Sequence, residues 1–162
     1  MSTPELTSAK LFVLPRALAE DCYEAMRVHG ETGAELFIAL SAVFDKSGEQ
    51  VHFRRALIPE QTCHKTHEGL LVTIDGDAIF ALNRDCYEEG EILAGQMHSH
   101  PRQAYHSRAD DELALVKLPG GLSIVVPDFA TGPLRPRRWS VSQLQSDGGW
   151  KRRPRRVKLK LT

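Results

Sequence analysis

The segment Glu35–Phe44 is almost entirely apolar and ends at the turn-forming sequence Asp45-Lys-Ser-Gly48. A continuous apolar run that is bounded by turn residues is typical of a buried β-strand. The next segment, Gln50–Ile58, mixes apolar with polar residues and stops at Pro59, as expected for a strand with one more exposed face. The two segments therefore predict a β-hairpin with its first strand in the core.

Helical and strand patterns alternate along the rest of the chain. Apolar residues recur at helical spacing before a glycine in two segments, and a third helix is expected to begin at Ser107 and to end before Pro119. The predicted elements are helices over Pro15–His29 and Asp77–Glu89, and strands over Leu70–Ile74, Ile92–His98, Leu122–Val126 and Arg138–Leu144. This order predicts an α+β domain in which a mixed central β-sheet is flanked by helices.

Length and charge suggest one domain followed by a basic tail. The chain has 162 residues, which suits a single core. Its formal net charge is zero, yet the segment Lys151–Lys160 is strongly basic, so the remainder is net acidic. We therefore predict a domain over residues 1–150 and a basic C-terminal tail over 151–162. The tail is expected to be a frayed, solvated terminus, although such a cluster can also bind nucleic acid or another acidic surface.

The cysteines and the hydropathy pattern exclude several classes of protein. The three cysteines, Cys22, Cys63 and Cys86, are odd in number and show no C-x-x-C spacing. This argues against a disulfide scaffold and against a cysteine-rich zinc site. No signal peptide is visible, and no apolar run approaches the ~20 residues that span a bilayer. The expected location is the cytoplasm.

Two histidines and an aspartate predict a metal site. His98 and His100 stand two residues apart at the end of a predicted strand, so both imidazoles point to the same side. Pro101 ends that strand, and the helix that begins at Ser107 carries Asp110 and Asp111 in its first turn. Two imidazoles and one carboxylate leave the fourth position of a zinc ion open to water, as in catalytic sites. His64, His67 and His106 are expected to be loop residues and not ligands.

The pattern His98-Ser-His100-Pro…Ser107-x-x-Asp110 resembles the JAMM motif of the JAB/MPN metalloproteases. This family includes zinc-dependent deubiquitinating isopeptidases and prokaryotic relatives, and the bacterial Prok-JAB-like branch associated with ubiquitin-like conjugation is the most similar. Leu57-Ile-Pro-Glu-Gln61 and Leu122–Pro127 resemble neighbouring segments of the family. The resemblance covers about Pro15 to Trp150 and implies a single MPN/JAB-like domain, which is cytidine-deaminase-like in fold.

The resemblance leaves two aspartates as candidate ligands. The usual family spacing from His98 falls on Asp111 and places Arg108 at the serine position. Keeping Ser107-x-x-Asp110 requires the preceding loop to be one residue shorter. Because loops absorb deletions more easily than helix starts do, we favour Asp110 and keep Asp111 as the alternative.

The resemblance also implies a glutamate that handles protons and does not bind the metal. Glu35 is the favoured candidate because it opens a predicted strand, as the glutamate does in relatives. Glu31, in Gly30-Glu-Thr-Gly33, resembles the E-T-x-G of some eukaryotic members but lies in a predicted loop. Ser107 is expected to cap its helix and to donate a hydrogen bond to the oxyanion that forms during hydrolysis.

The implied function is a zinc-dependent isopeptidase that removes a ubiquitin-like protein from a target lysine or a C-terminal extension. Activating and conjugating enzymes of the same pathway are the further expected partners, and a bacterial antiviral conjugation pathway is the expected context. Processing of small sulfur-carrier proteins is the alternative enzymatic function. A non-catalytic MPN scaffold is disfavoured because scaffolding members lose the histidines or the aspartate. Nucleic-acid binding, as in the RadC branch, is disfavoured because that branch has asparagine where this chain has Ser99.

Overall fold

The computed structural model describes residues 3–112, 114–152 and 154–162. Within them lie three α-helices, α1 (Arg16–Gly30), α2 (Gly76–Glu88) and α3 (Arg108–Glu112). The strands are β1 (Leu11–Leu14), β2 (Phe37–Phe44), β3 (Gln50–Leu57), β4 (Thr62–Thr66), β5 (Gly69–Thr73), β6 (Ile92–Ser99), β7 (Leu122–Val126), β8 (Ser140–Leu144), β9 (Trp150–Arg152) and β10 (Lys158–Leu161).

Eight of these strands form one mixed sheet in the order β10-β1-β3-β2-β6-β7-β8-β9. Strand β1 runs parallel to both β10 and β3, and β6 runs parallel to β7, whereas the other neighbours are antiparallel. Strands β4 and β5 form a separate two-stranded hairpin. The prediction of an α+β domain around a mixed central sheet is confirmed.

Both faces of the central strand β2 are buried, which explains its continuous apolar sequence. Ile38 and Leu40 belong to the larger core cluster, which includes the inner face of α1. Phe37 and Ala39 point to the opposite face and pack in a second cluster with α2. The neighbouring strand β6 is buried by the same two layers, so its carboxyl end is held rigidly.

The prediction of a frayed basic terminus is wrong. Strand β9 pairs with β8 at one end of the sheet, and β10 pairs with β1 at the other. In β10, Lys158 and Lys160 are exposed, whereas Leu159 and Leu161 pack against the core. The alternation has the period of a strand, and the charges belong only to its outer face.

The helix that follows Ser107 is shorter than predicted. It ends at Glu112, and residues 114–119 are not helical. The backbone N–H groups of Leu115 and Val116 donate to the buried side-chain oxygen of Gln96 at 2.7 and 3.1 Å. Because a distant side chain satisfies these groups, they need no helical partners. Among the described residues, no helix has the length and apolar character that crossing a membrane requires.

Candidate metal centre

The sheet fixes both histidines at the end of β6. His98 is fully buried, and its ring stacks on that of Phe37 with centroids 4.1 Å apart and planes 5° apart. The backbone N–H of His100 donates to the Val126 carbonyl at 2.8 Å, which continues the parallel pairing of β6 with β7. The two imidazoles therefore project from alternate positions at the end of β6. The pairing with β7 holds the backbone of both residues in place.

Asp110 lies in the first turn of helix α3, where it and Ser107 cap each other through two hydrogen bonds. The Asp110 backbone N–H donates to Ser107 Oγ at 3.1 Å, and the Ser107 N–H donates to Asp110 Oδ2 at 2.7 Å. This capping-box arrangement fixes both the helix start and the carboxylate. Asp111 points elsewhere, because its Oδ1 lies 2.6 Å from His106 Nε2. The structure thus brings Asp110, and not Asp111, to the two histidines.

Potential ligand atoms of three residues converge at this point. His98 Nε2 lies 3.3 Å from His100 Nε2 and 3.1 Å from Asp110 Oδ1, and His100 Nε2 lies 3.6 Å from the other carboxylate oxygen, Asp110 Oδ2. Donor atoms that share one tetrahedral metal at roughly 2.0–2.1 Å lie about 3.3 Å from one another. The two imidazole nitrogens have this separation, and each has a carboxylate oxygen of Asp110 nearby, so this buried cluster could hold a metal ion.

The protonation states reflect burial and the short contacts. Burial raises the pKa of the Asp110 carboxyl, but hydrogen bonds from His100 and His98 outweigh it and hold the pKa below its usual range. Burial lowers the pKa of His98, which favours the neutral imidazole that binds metals. Burial also lowers the pKa of His100, but the hydrogen bond to Asp110 and the charge of Glu35 raise it above its ordinary value.

Glu35 lies at the same cleft, two residues before β2 begins, and its side chain is buried. Burial raises the pKa of its carboxyl to about 7, with the charge of His100 acting against this rise and that of Asp110 adding to it. Glu31 lies in the turn after α1 and is exposed. The structure therefore places Glu35 beside the cluster of His98, His100 and Asp110 and leaves Glu31 outside it.

The serine between the two histidines has a positioning contact that the sequence analysis missed. Ser99 Oγ accepts a hydrogen bond from the Leu36 backbone N–H at 3.2 Å, and the Ser99 N–H donates to the Leu36 carbonyl at 3.4 Å. Leu36 follows Glu35 directly, so Ser99 ties the histidine strand to the glutamate segment. In the sequence, this contact is indicated only by the presence of a small hydroxyl residue between the two histidines.

The cleft over the cluster has a volume of about 460 Å³, within the range of about 300–1,000 Å³ that is usual for ligand sites. Its floor carries Glu35, His100, Ser107 and Asp110, and its walls are β5 and the loop 101–105. Gln61, in the segment that precedes the β4–β5 hairpin, makes hydrogen bonds to the backbone N–H and carbonyl of Phe37. These bonds anchor the start of the hairpin beside the site.

The chain is 31% identical over 150 residues to the probable metalloprotease y4jG of Sinorhizobium fredii. The aligned region covers 87% of this chain and 88% of that protein. The chain belongs to this family of probable metalloproteases. A metalloprotease needs side chains that can hold a metal, and the buried cluster of His98, His100 and Asp110 meets that need. No family model matches this chain.

Two solved structures resemble this chain in fold. A protein of Desulfitobacterium hafniense is 16% identical, aligns over 94% of each chain and superposes with a TM-score of 0.62. A protein of Salinibacter ruber is 20% identical, aligns over 86% of this chain and 88% of the other, and has a TM-score of 0.51. At such identities the likeness concerns the fold alone.

Proposed function

We propose that this metalloprotease is a JAMM-type zinc isopeptidase that releases a ubiquitin-like protein from a target lysine or a C-terminal extension. The observation that carries the proposal is the convergence of His98, His100 and Asp110 beside a cleft that Glu35 and Ser107 line. These residues are the ones that the resemblance to the JAMM motif selects. Activating and conjugating enzymes of a bacterial pathway would be its partners, and antiviral defence its setting.

The donor set suits zinc better than the harder cations. Imidazole nitrogens are common zinc ligands, whereas magnesium and calcium prefer sites built of oxygen atoms. His98, His100 and Asp110 would hold the ion and leave a fourth position open. A bound zinc ion supplies Lewis-acid chemistry, because it polarises the carbonyl of the bond to be cleaved and makes water more acidic.

Glu35 is the proposed proton carrier. Its carboxylate accepts a proton from the attacking water as the new C–O bond forms. It then passes that proton to the amine nitrogen as the C–N bond breaks. Because burial brings the pKa of Glu35 to about 7, the group can both accept and release a proton near neutral pH. A carboxylate with this pKa suits the general base and general acid roles better than an exposed one.

Ser107 is the proposed donor to the oxyanion. Its Oγ already accepts the hydrogen bond from the Asp110 N–H, so its own hydroxyl hydrogen is available to another acceptor. Ser107 lines the cleft, where that acceptor would be the carbonyl oxygen of the substrate. Removing one oxyanion donor typically lowers kcat by about 10²–10³-fold.

The test is cleavage of a ubiquitin-like protein that is fused through its C-terminus to a fluorescent reporter. Glu35→Gln should lower kcat by ~10²–10⁴-fold and should keep its zinc, since Glu35 is not a ligand. Glu31→Gln is the matched control and should keep most activity, because Glu31 lies outside the cleft.

Two results would argue against parts of the proposal. Normal cleavage by Glu35→Gln would show that Glu35 is not the proton carrier. The second result is that the zinc-loaded wild type hydrolyses unrelated peptides and leaves every ubiquitin-like fusion intact. That result would support metalloprotease activity and would show that the proposed substrate class is wrong.

A further inference from the structure

The charges of the chain are strongly segregated. Ten of its 21 basic residues but only one of its 21 acidic residues lie after residue 130. The segment 131–162 therefore has a formal charge of +9, and the remainder has a formal charge of −9. Because most of the basic residues belong to ordered elements, the positive charge has a defined place on the molecule.

The two basic stretches of this segment meet at one groove, which we call the C-terminal groove. Pro136, Trp139 and Val141 line one side of it, and Pro154, Val157 and Leu159 line the other. Val141 lies on β8 and Leu159 on β10. The sheet therefore curls enough to bring these strands to one surface, although five strands separate them in the sheet order.

Basic residues adjoin the lining residues of the groove in both stretches. Arg135 and Arg137 stand on either side of Pro136 in the sequence, and Arg155 and Arg156 lie between Pro154 and Val157. All four of these basic side chains, which we call the rim, are exposed. In the part of the chain that the structure describes, none of the four forms a salt bridge. The groove thus combines an apolar floor with a cationic rim that has no ion-pair partner among the described residues.

We propose that the C-terminal groove is a docking site for an acidic polypeptide segment that carries an apolar side chain. Carboxylates would pair with the rim, and the apolar side chain would bury against the prolines and aliphatic residues of the floor. The groove has a volume of about 240 Å³, below the range of about 300–1,000 Å³ that is usual for small-molecule sites. This size fits one or two side chains of a protein partner.

The floor is poorly suited to nucleic acid. Proteins that bind single strands present aromatic faces on which bases stack. The one aromatic residue of the floor, Trp139, is only 3% exposed, and its indole N–H donates to the Tyr23 hydroxyl in the core. The groove therefore offers no free ring to a base. Its lining residues are also separate from those of the catalytic cleft, so docking is measurable without cleavage.

The test is fluorescence anisotropy with the full-length protein and three labelled probes. The first is a peptide of about 12 residues, mostly Glu and Asp, with two leucines; the second has serine at both leucine positions; the third is oligothymidylate of similar length. The leucine peptide should bind at least about tenfold more tightly than the serine peptide, because only leucine fills the apolar floor. Raising the salt to about 0.5 M should weaken its binding, because the rim is exposed.

Charge-reversal variants locate the binding site. Arg155→Glu/Arg156→Glu should weaken binding of the leucine peptide by about tenfold or more, since it turns part of the rim anionic. Lys46→Glu/Arg84→Glu makes the same change of formal charge at exposed residues outside the segment 131–162 and should bind the peptide as the wild type does. Circular dichroism of each variant establishes that it is folded. The comparison of the two peptides needs no change to the protein.

Four results would overturn the proposal. Equal affinity for the two peptides would leave only non-specific charge attraction. Tighter binding of the oligonucleotide would make the surface a nucleic-acid site. Self-association that Arg155→Glu/Arg156→Glu abolishes, without peptide binding, would make a second copy of the chain the occupant. An absence of binding to all three probes would exclude a docking role.

Discussion

Glutamine in place of Glu35 should stabilise the metal-free protein at alkaline pH and change little at acidic pH. Burial raises the pKa of this carboxyl from 4.5 to about 7. The unfolded chain releases the proton near 4.5, whereas the folded chain keeps it until about pH 7. The folded state therefore loses stability as the pH rises through this window. An amide cannot ionise, so Glu35→Gln escapes the penalty of burying a charge.

The size of the effect follows from the shift in pKa. At about 1.36 kcal/mol per unit, a rise from 4.5 to about 7 corresponds to a ceiling of roughly 3.4 kcal/mol. Because Glu35 lines a cleft that water can enter, solvent screening reduces this ceiling, and we expect a gain of about 1–2 kcal/mol at about pH 8. The gain should shrink to a small fraction of this near pH 4.5, where the carboxyl is protonated in the folded state and about half protonated in the unfolded chain.

The assay is urea unfolding with a chelator present, at about pH 4.5 and about pH 8, for the wild type, Glu35→Gln and the control Glu31→Gln. The control changes an exposed carboxylate and should unfold like the wild type at both values. The reasoning is refuted if Glu35→Gln is less stable than the wild type at the higher pH. It is equally refuted if the two proteins differ by the same amount at both values.

Two further substitutions test how the sheet supports the site. Ser99→Ala removes the acceptor for the Leu36 N–H and should lower the free energy of unfolding by about 1–3 kcal/mol, with recovery in Ser99→Thr; equal stability of all three proteins would contradict this. In Gly95→Ala, the added Cβ would lie 2.8 Å from the Phe53 ring, so overpacking should cost about 1–3 kcal/mol in urea unfolding. Gly76→Ala, which meets no atom within 4 Å at the start of α2, is the matched control and should cost nothing.

The elements that the sequence predicted best are those whose neighbours lie close by or whose burial is complete. Strand β7 occupies Leu122–Val126 as predicted, and all five of its residues are buried. The hairpin of β2 and β3 is also confirmed, although β2 begins at Phe37, two residues later than expected. In each of these strands, local apolar composition and turn residues carry enough information to place the element.

Strand β10 and the early end of α3 were missed because they depend on distant partners. Strand β10 has charged residues at every second position, so its apolar face is visible only once it is known to pair with β1. The early end of α3 depends on Gln96, which accepts from Leu115 and Val116 across a long sequence separation. Neither contact produces a recognisable pattern in the sequence near the element.

The candidate site was largely predictable because short segments carry it. The strand period placed His98 and His100 side by side, and Ser107-x-x-Asp110 carries its own capping geometry. The sequence alone leaves both Asp110 and Asp111 as candidate ligands. The structure adds a reason for Asp110, because the contact with His106 turns Asp111 away from the cluster.

Elemental analysis of the purified protein tests the central claim most directly. The wild type should carry about one zinc ion per chain, held by His98, His100 and Asp110. Asp110→Ala should lose the ion, and the matched control Asp111→Ala should retain it, since the Asp111 carboxylate lies against His106 and outside the cluster. Equal zinc in the wild type and Asp110→Ala, or loss of zinc from Asp111→Ala alone, would contradict the account.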